Sequence, residues 1–346
     1  MVAKSASLRV VVTVAAAAVA SAAKNIHAVS KLPVEGLYVE RAPDHLRPYI
    51  FEHLTDTRAV NVSSQIYRFA VTGPSSDNAF TLISTDAPRS DALGKDDGED
   101  QSRILAPGDY GSVVRNTTHT FQILDPDTEL TGVIVPGGFE ELFYTLGDNF
   151  TSGTNTPYVP APDLGLAGPD SGAIGDLESF DVYAQLDFEP RRDLVNDTAP
   201  AGTVYGEPGE PYFVANGYGP KTLNSQFRYQ VVQPLATQDQ SRDLDFSIST
   251  ISINKKKSNV TIPEHALSGA SAFQVLEGLL SIEIGEYEPA LLGGGDVAFI
   301  PPGMSFRYWS NVAFTKVLYV GKGDDSVDNQ LIAAGEPWEF TSFPTY

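Results

Sequence analysis

The chain repeats itself, and that limits its fold more than any other feature. Gly108-Asp109-Tyr110 in the first half returns as Gly295-Asp296-Val297 in the second, each a turn feeding an apolar run. His119 stands eleven residues after Gly108, and Phe306 stands eleven residues after Gly295. The two positions should therefore occupy one place in two copies of a single module. Upstream, Ser64-Gln65 precedes an apolar run in the first half as Ser225-Gln226 precedes Phe227 to Val232 in the second. A chain of 346 residues exceeds one ordinary core, and self-similarity at this spacing divides it into two related ones.

Each copy is built from strands. Short alternating or β-branched runs such as Gln65 to Val71, Thr131 to Val135 and Phe314 to Val320 are punctuated by Gly, Pro, Asn and Asp, a pattern that suits pleated, half-buried strands. With 30 Gly and 24 Pro and only 19% charged residues, turn-rich β structure is favoured over helical bundles. One amphipathic helical stretch is predicted, Gly175 to Phe188, inside a Pro- and Gly-rich connection. The expectation is an all-β chain of two β-barrels: residues 1–22 a leader, 23–150 the first barrel, 151–210 the linker and 211–346 the second barrel.

The first copy is short. Ser64 to Gly108 spans 44 residues and Ser225 to Gly295 spans 70, a difference of 26. The extra length of the second copy includes Phe273 to Gly285, which predicts a strand, a glycine turn and a second strand. At that place the first copy has the polar, acidic stretch Asp91 to Ser102, in which no hairpin can be read. A barrel short of a hairpin leaves unpaired edges, which folded proteins avoid.

The N-terminus carries Lys4 and Arg9, an apolar run from Val10 to Ala20, and the small-residue pattern Ala20-Ser21-Ala22, as a secretory signal does. The run is too short to cross a bilayer. Sequons at Asn61, Asn116, Asn149, Asn196 and Asn259 add candidate surface glycans, so a secreted, extracellular glycoprotein is expected. Zero Cys excludes disulfides, thiol nucleophiles and zinc fingers, leaving any metal to His and carboxylate. A formal charge of −21 repels nucleic acid and anionic membrane surfaces.

Local catalytic signatures are few. No Gly-X-Ser-X-Gly, Gly-X-Gly-X-X-Gly or Gly-X4-Gly-Lys-Ser/Thr string is present, which removes the elbow hydrolases, Rossmann enzymes and P-loop proteins. Gly293-Gly294-Gly295 precedes a strand and is predicted to be a turn. Glu140-Glu141, if in a strand, would point to opposite faces and serve as solvated surface. The five histidines, His27, His45, His53, His119 and His265, show neither His-X-His nor His-X3-His spacing. A copper site needs several donors held together, and His119 alone supplies one.

Strings across both halves carry a resemblance. Tyr67-Arg68-Phe69, Val71-Thr72-Gly73-Pro74, Asp91-Ala92-Leu93-Gly94, Gly108-Asp109-Tyr110-Gly111, Thr118-His119-Thr120-Phe121-Gln122, Gly132 to Glu140, Ser179 to Ala184 and Gly295 to Pro301 resemble the fungal quercetin 2,3-dioxygenases, bicupins of the cupin superfamily. The resemblance implies two jelly-roll barrels, copper in the first, and O2-dependent opening of the central ring of flavonols such as quercetin with release of carbon monoxide. It implies a metal held by three histidines and a glutamate. His119 matches one of them, and the others, including the glutamate that would take the flavonol proton, belong to the segment that is short here. It assigns Tyr67, Ile83, Thr85, Phe121, Leu130 and Ile134 to the wall around the flat substrate, residues that barrel interiors need anyway. It allows a homodimer. Phe306 in the histidine position makes the second barrel structural. Two readings remain: a copper dioxygenase whose sequence here omits a segment, and a metal-free bicupin that binds a flavonoid or other small ligand without turning it over.

Overall fold

Alternation along the runs becomes two sheets whose faces have different partners. The computed structural model describes the backbone of residues 8–15 and residues 36–62, 65–87, 104–115, 128–150, 208–241 and 244–344, with isolated positions between 117 and 182. An eight-stranded sheet carries the first copy and a nine-stranded sheet the second, with a separate four-stranded sheet over the latter. The expected all-β class holds, helices being short connectors such as Glu140–Leu146 and Val327–Ala333. Most of the 151–210 connection, including the helix expected from Gly175, lies outside the described residues.

The copies correspond element by element. Gln65–Val71 matches Gln230–Ala236, each with a register shift near its end, at Phe69/Val71 and Pro234/Ala236. Thr81–Ala87 matches Phe246–Asn254, Tyr110–Val113 matches Val297–Ile300, and Thr128–Val135 matches Phe314–Lys322. The counterpart of Gln65 is therefore Gln230, so the pairing of Ser64 with Ser225 is corrected. From Gln65 to Tyr110 is 45 residues and from Gln230 to Val297 is 67, a deficit of 22 rather than 26.

In the second copy the extra residues make the barrel. Ser271–Glu277 enters the nine-stranded sheet between Val297–Ile300 and Phe314–Lys322, and Leu280–Ile284, Ala290–Leu292, Ser305–Trp309 and His265–Ala266 form the covering sheet. Phe273, Val275, Ile282, Phe306, Tyr308 and Tyr319 pack between the two layers, as inward positions of a β-sandwich must. Ser271–Glu277 and Leu280–Ile284 are not a hydrogen-bonded hairpin, because they lie in different sheets. Gly278 is the corner, with φ of 81°, and a Cβ there would come within 2.3 Å of the Phe314 carbonyl oxygen. Only glycine fits such a corner without strain.

The first copy has no such cover among the described residues. Its slot between Tyr110–Val113 and Thr128–Val135 is filled by Leu8–Ala15, parallel to both. In the second copy the occupant of that slot is antiparallel to both neighbours. A β-branched N-terminal segment thus meets the edge hydrogen bonds that the shortened chain leaves open.

The copies also exchange arms. Tyr49–Phe51 pairs with Val297–Ile300 of the second module, and Tyr212–Val214 pairs with Tyr110–Val113 of the first. The repeated Gly-Asp turn fastens each arm. Gly108 and Gly295 have φ of 85° and 91°. The Asp109 carboxylate accepts from the Ala106 and Asn216 amides, both at 2.8 Å. Asp296 accepts from the Gly293 amide at 2.7 Å and the His53 amide at 2.9 Å. Between the sheets a shared core of Val71, Phe80, Leu82, Val133, Ile248, Phe299 and Leu318 welds the modules back to back.

Candidate functional site

The first sheet has one face in that shared core and one facing away. Pairing puts Tyr67 opposite Thr85 and Thr85 opposite Leu130 in one row, and Phe69 opposite Ile83 and Ile83 opposite Gly132 in the next. Thr81 opposite Ile134 follows. Because side chains alternate with period two, Tyr67, Ile83, Thr85, Leu130 and Ile134 share one face. Five of the six expected wall residues are thereby brought together into an apolar bed, with Gly132 leaving its middle row flat. Phe121 is not among them: it lies outside any strand and is 49% exposed.

A helix closes one end of this bed. Phe143 of Glu140–Leu146 lies 4.5 Å from the Tyr67 ring and 5.8 Å from Phe69, Tyr144 meets Phe69 edge-on at 4.8 Å, and Phe139 packs on Phe143. The helix start is anchored by Glu140, which is buried and not the solvated strand residue expected. Its carboxylate accepts from the Gly73 amide at 2.7 Å, the Thr81 hydroxyl at 2.6 Å and the Gly138 amide at 3.1 Å. Phe139, Phe143 and Tyr144 were not foreseen as lining. The spacing of four between Phe139 and Phe143 is helical and is the signal the sequence carries for them.

Beneath the bed, on the opposite face, the buried Arg68 guanidinium donates to Asp86 at 2.5 Å, and Asp56 accepts from the Phe69 and Arg58 amides. Burial depresses the Arg68 guanidinium, with Asp86, Asp56 and Glu129 opposing that shift. Burial likewise raises Asp56 above the usual carboxylate range. On the bed itself the Tyr67 hydroxyl donates to Gln65 at 2.7 Å, and burial pushes its phenol well above its ordinary value. Tyr67, Ile83, Thr85 and Ile134 are buried in the fold, and with its phenol raised the tyrosine is not a base at neutral pH.

The metal expectation does not fit these residues. His119 is exposed outside any strand, its Nδ1 paired with the Thr117 carbonyl at 2.8 Å. No group of three or more His, Asp or Glu able to hold a metal occurs among the described residues. The second copy supplies the reason. Phe306 faces inward because Ser305–Trp309 pairs with Leu280–Ile284 and His265–Ala266, strands whose counterparts are absent from the described part of the first copy. Phe306 itself is buried in the second core, against Phe273.

Of the sequons, Asn149 and Asn259 are exposed, the latter with φ of 66°. Asn61 sits in Val60–Val62 between two paired strands, its Oδ1 buried. Asn116 and Asn196 lie outside the described residues. Among the described residues no helix is long and apolar enough to cross a membrane.

Two copies of a strand module, each with a Gly-Asp turn and the second closed into a two-layer barrel, define a bicupin. The chain belongs to the quercetin 2,3-dioxygenase family. It is 51% identical over 343 residues to the quercetin 2,3-dioxygenase of Aspergillus japonicus, covering 89% of this chain and 98% of that protein. The 343 aligned positions exceed what 89% of 346 residues can supply, so the relative carries residues with no counterpart here. The Bacillus subtilis quercetin 2,3-dioxygenase is 29% identical over 126 residues, 31% of this chain and 37% of that protein. No family model matches the chain. A cupin-2 domain protein of Shewanella frigidimarina overlaps 27% of this chain and 79% of its own at 16% identity, with a TM-score of 0.22, too low to bear on the fold.

Proposed function

We propose that the O2-dependent opening of flavonols, the reaction for which its relatives are named, is the function of this protein when the segment its chain lacks is present, with the flavonol lying on the bed of Tyr67, Ile83, Thr85, Leu130 and Ile134, and that the 346-residue chain by itself binds the flavonol without turning it over. The observation that carries this is the joining of those five residues on one face in a chain 51% identical to a quercetin 2,3-dioxygenase. Copper is the family's metal by resemblance. The described residues supply no cage for it, and the missing donors belong to the stretch between Ala87 and Tyr110 where 22 residues are lacking. Carbon monoxide release, glycans at Asn149 and Asn259 and a homodimer belong to the same proposal, as does secretion, in which cleavage after the leader 1–22 removes Leu8–Ala15 and leaves its slot in the first sheet open.

The test compares the 346-residue chain with a version carrying the Aspergillus relative's extra segment between Gly94 and Lys95. The restored chain is expected to hold one metal per molecule and to release carbon monoxide from quercetin. The chain as it stands should do neither, while still quenching its own fluorescence when quercetin is added. Stoichiometric copper and turnover in the unrestored chain would remove the assignment of the donors. A restored chain that holds metal yet leaves quercetin intact would remove the substrate.

A further inference from the structure

Among the described residues two arginines are buried almost completely, and they are treated in opposite ways. Arg68 in the first module is 2% exposed and lies against Asp86, with Asp56 and Glu129 near. Arg228, at the entry to the strand Gln230–Ala236, is 1% exposed, and among the described residues no carboxylate pairs with it. Its Nη2 donates to the Tyr308 carbonyl at 2.8 Å and its guanidinium lies 5.1 Å from the centre of the Tyr308 ring. Its Nε and Nη1 are buried without any hydrogen-bond partner. A buried cation without a counter-charge is unfavourable by several kcal/mol, and buried donors with nothing to meet them point to a water or an ion.

The surroundings suit an ion. Arg228 spans the two layers of the second barrel at one end, beside the inward row that begins with Phe306. The Tyr308 hydroxyl donates to Gln230 at 2.8 Å, and the His265 ring stacks on Phe306 at 5.3 Å and on Tyr308 at 5.7 Å. These neighbours are neutral or aromatic, so none supplies the missing negative charge. Burial, with Arg228 adding to it, holds the His265 imidazole below its ordinary value. The net charge of −21 disfavours anions at the surface, so an anion here must be held by the local guanidinium rather than by the field of the whole protein.

We propose that the second barrel, otherwise a structural copy, binds one small monoanion at Arg228, a halide or the carboxylate of a small organic acid. Nε and Nη1 are the donors left to meet it. Since both nitrogens are shut off from solvent, the ion is buried and exchanges slowly.

The experiment uses the full chain, equilibrated in a HEPES buffer free of halide and carboxylate. Sodium chloride and sodium acetate are then titrated separately, ionic strength being held constant with sodium HEPES, and the thermal midpoint is followed. Wild type is expected to show a saturable rise on the order of 3 °C at about tenfold excess over the dissociation constant. A rise with chloride alone identifies a halide site, and a rise with acetate alone a carboxylate site. Arg228→Met should show no rise and, in the ion-free buffer, should melt no lower than wild type, since removing an uncompensated buried charge is neutral or stabilising. Equal rises in both proteins, or none in wild type, would overturn the proposal. Should the variant not fold, bromide-soaked crystals of wild type decide: an anomalous peak at hydrogen-bond distance from Arg228 supports the site, and bromide elsewhere only refutes it.

Discussion

Replacing Glu140 tests whether the helix that closes the bed is held by one carboxylate. Three donors converge on it, the Gly73 amide, the Thr81 hydroxyl and the Gly138 amide, at 2.7, 2.6 and 3.1 Å. Hydrogen bonds to a charged acceptor contribute about 1.5–3 kcal/mol each, and a buried donor left unmet costs about 1–3. Glu140→Ala strands the Gly73 amide outright. It leaves Gly138 only its 3.2 Å contact with the Thr81 oxygen, and it opens a hole under the helix. The expected loss is about 3–5 kcal/mol. Glu140→Gln keeps the shape and one oxygen. Its best orientation points the oxygen at Gly73 and the NH2 at Thr81, whose hydroxyl can turn to accept, so the expected loss is about 1–2 kcal/mol. Urea unfolding at pH 7 with a check that the slope is unchanged measures both. The refuting result is Glu140→Ala within about 1 kcal/mol of wild type, or Gln costing as much as Ala.

Other outcomes follow from the same geometry. Gly278→Ala meets the Phe314 carbonyl and the penalty of a left-handed backbone, and should lose about 2–4 kcal/mol by chemical denaturation; the same change at Gly36, where nothing lies within 4 Å of an added Cβ, is the control and should be near neutral. His265, held by burial below its ordinary 6.5, keeps its full stabilising share above pH 6.5. Below that the unfolded imidazole takes a proton that the folded one resists, so stability falls as pH drops. His265→Phe should therefore narrow the difference in melting temperature between pH 7.5 and pH 5.5, and an unchanged difference would contradict the burial. Tyr67→Ala should weaken quercetin quenching by about tenfold through loss of one stacking face, whereas Phe121→Ala should leave it unchanged. Removing residues 1–22 takes away a strand paired on both sides. Amide exchange in Tyr110–Val113 and Thr128–Val135 should then quicken while Ser271–Glu277 stays protected; equal protection would mean that the slot does not depend on Leu8–Ala15.

Much was legible in the chain alone because strand periodicity is a local property. Alternation in Gln65 to Val71 and Thr131 to Val135 marked those strands, whereas Tyr67, Ile83, Thr85, Leu130 and Ile134 were grouped by the family resemblance and put on one face only by the strand pairing. The repeated Gly-Asp turn determined the duplication, and the length between repeats located the lost segment. What sequence could not supply was anything set by a partner distant along the chain. The exchange of Tyr49–Phe51 for Tyr212–Val214, the anchor at Gln230 instead of Ser225, and the corner at Gly278 all depend on which sheet a strand joins, and hydrogen bonding across a sheet leaves no periodic mark. His119 illustrates the same limit. Its residue type suits a metal, but an imidazole is aimed into a barrel only by the strands that flank it, and those are absent among the described residues of the first copy. Whether Arg68 and Arg228 find carboxylates was likewise decided in three dimensions, because a buried charge is satisfied by whatever the fold brings within a few ångströms of it.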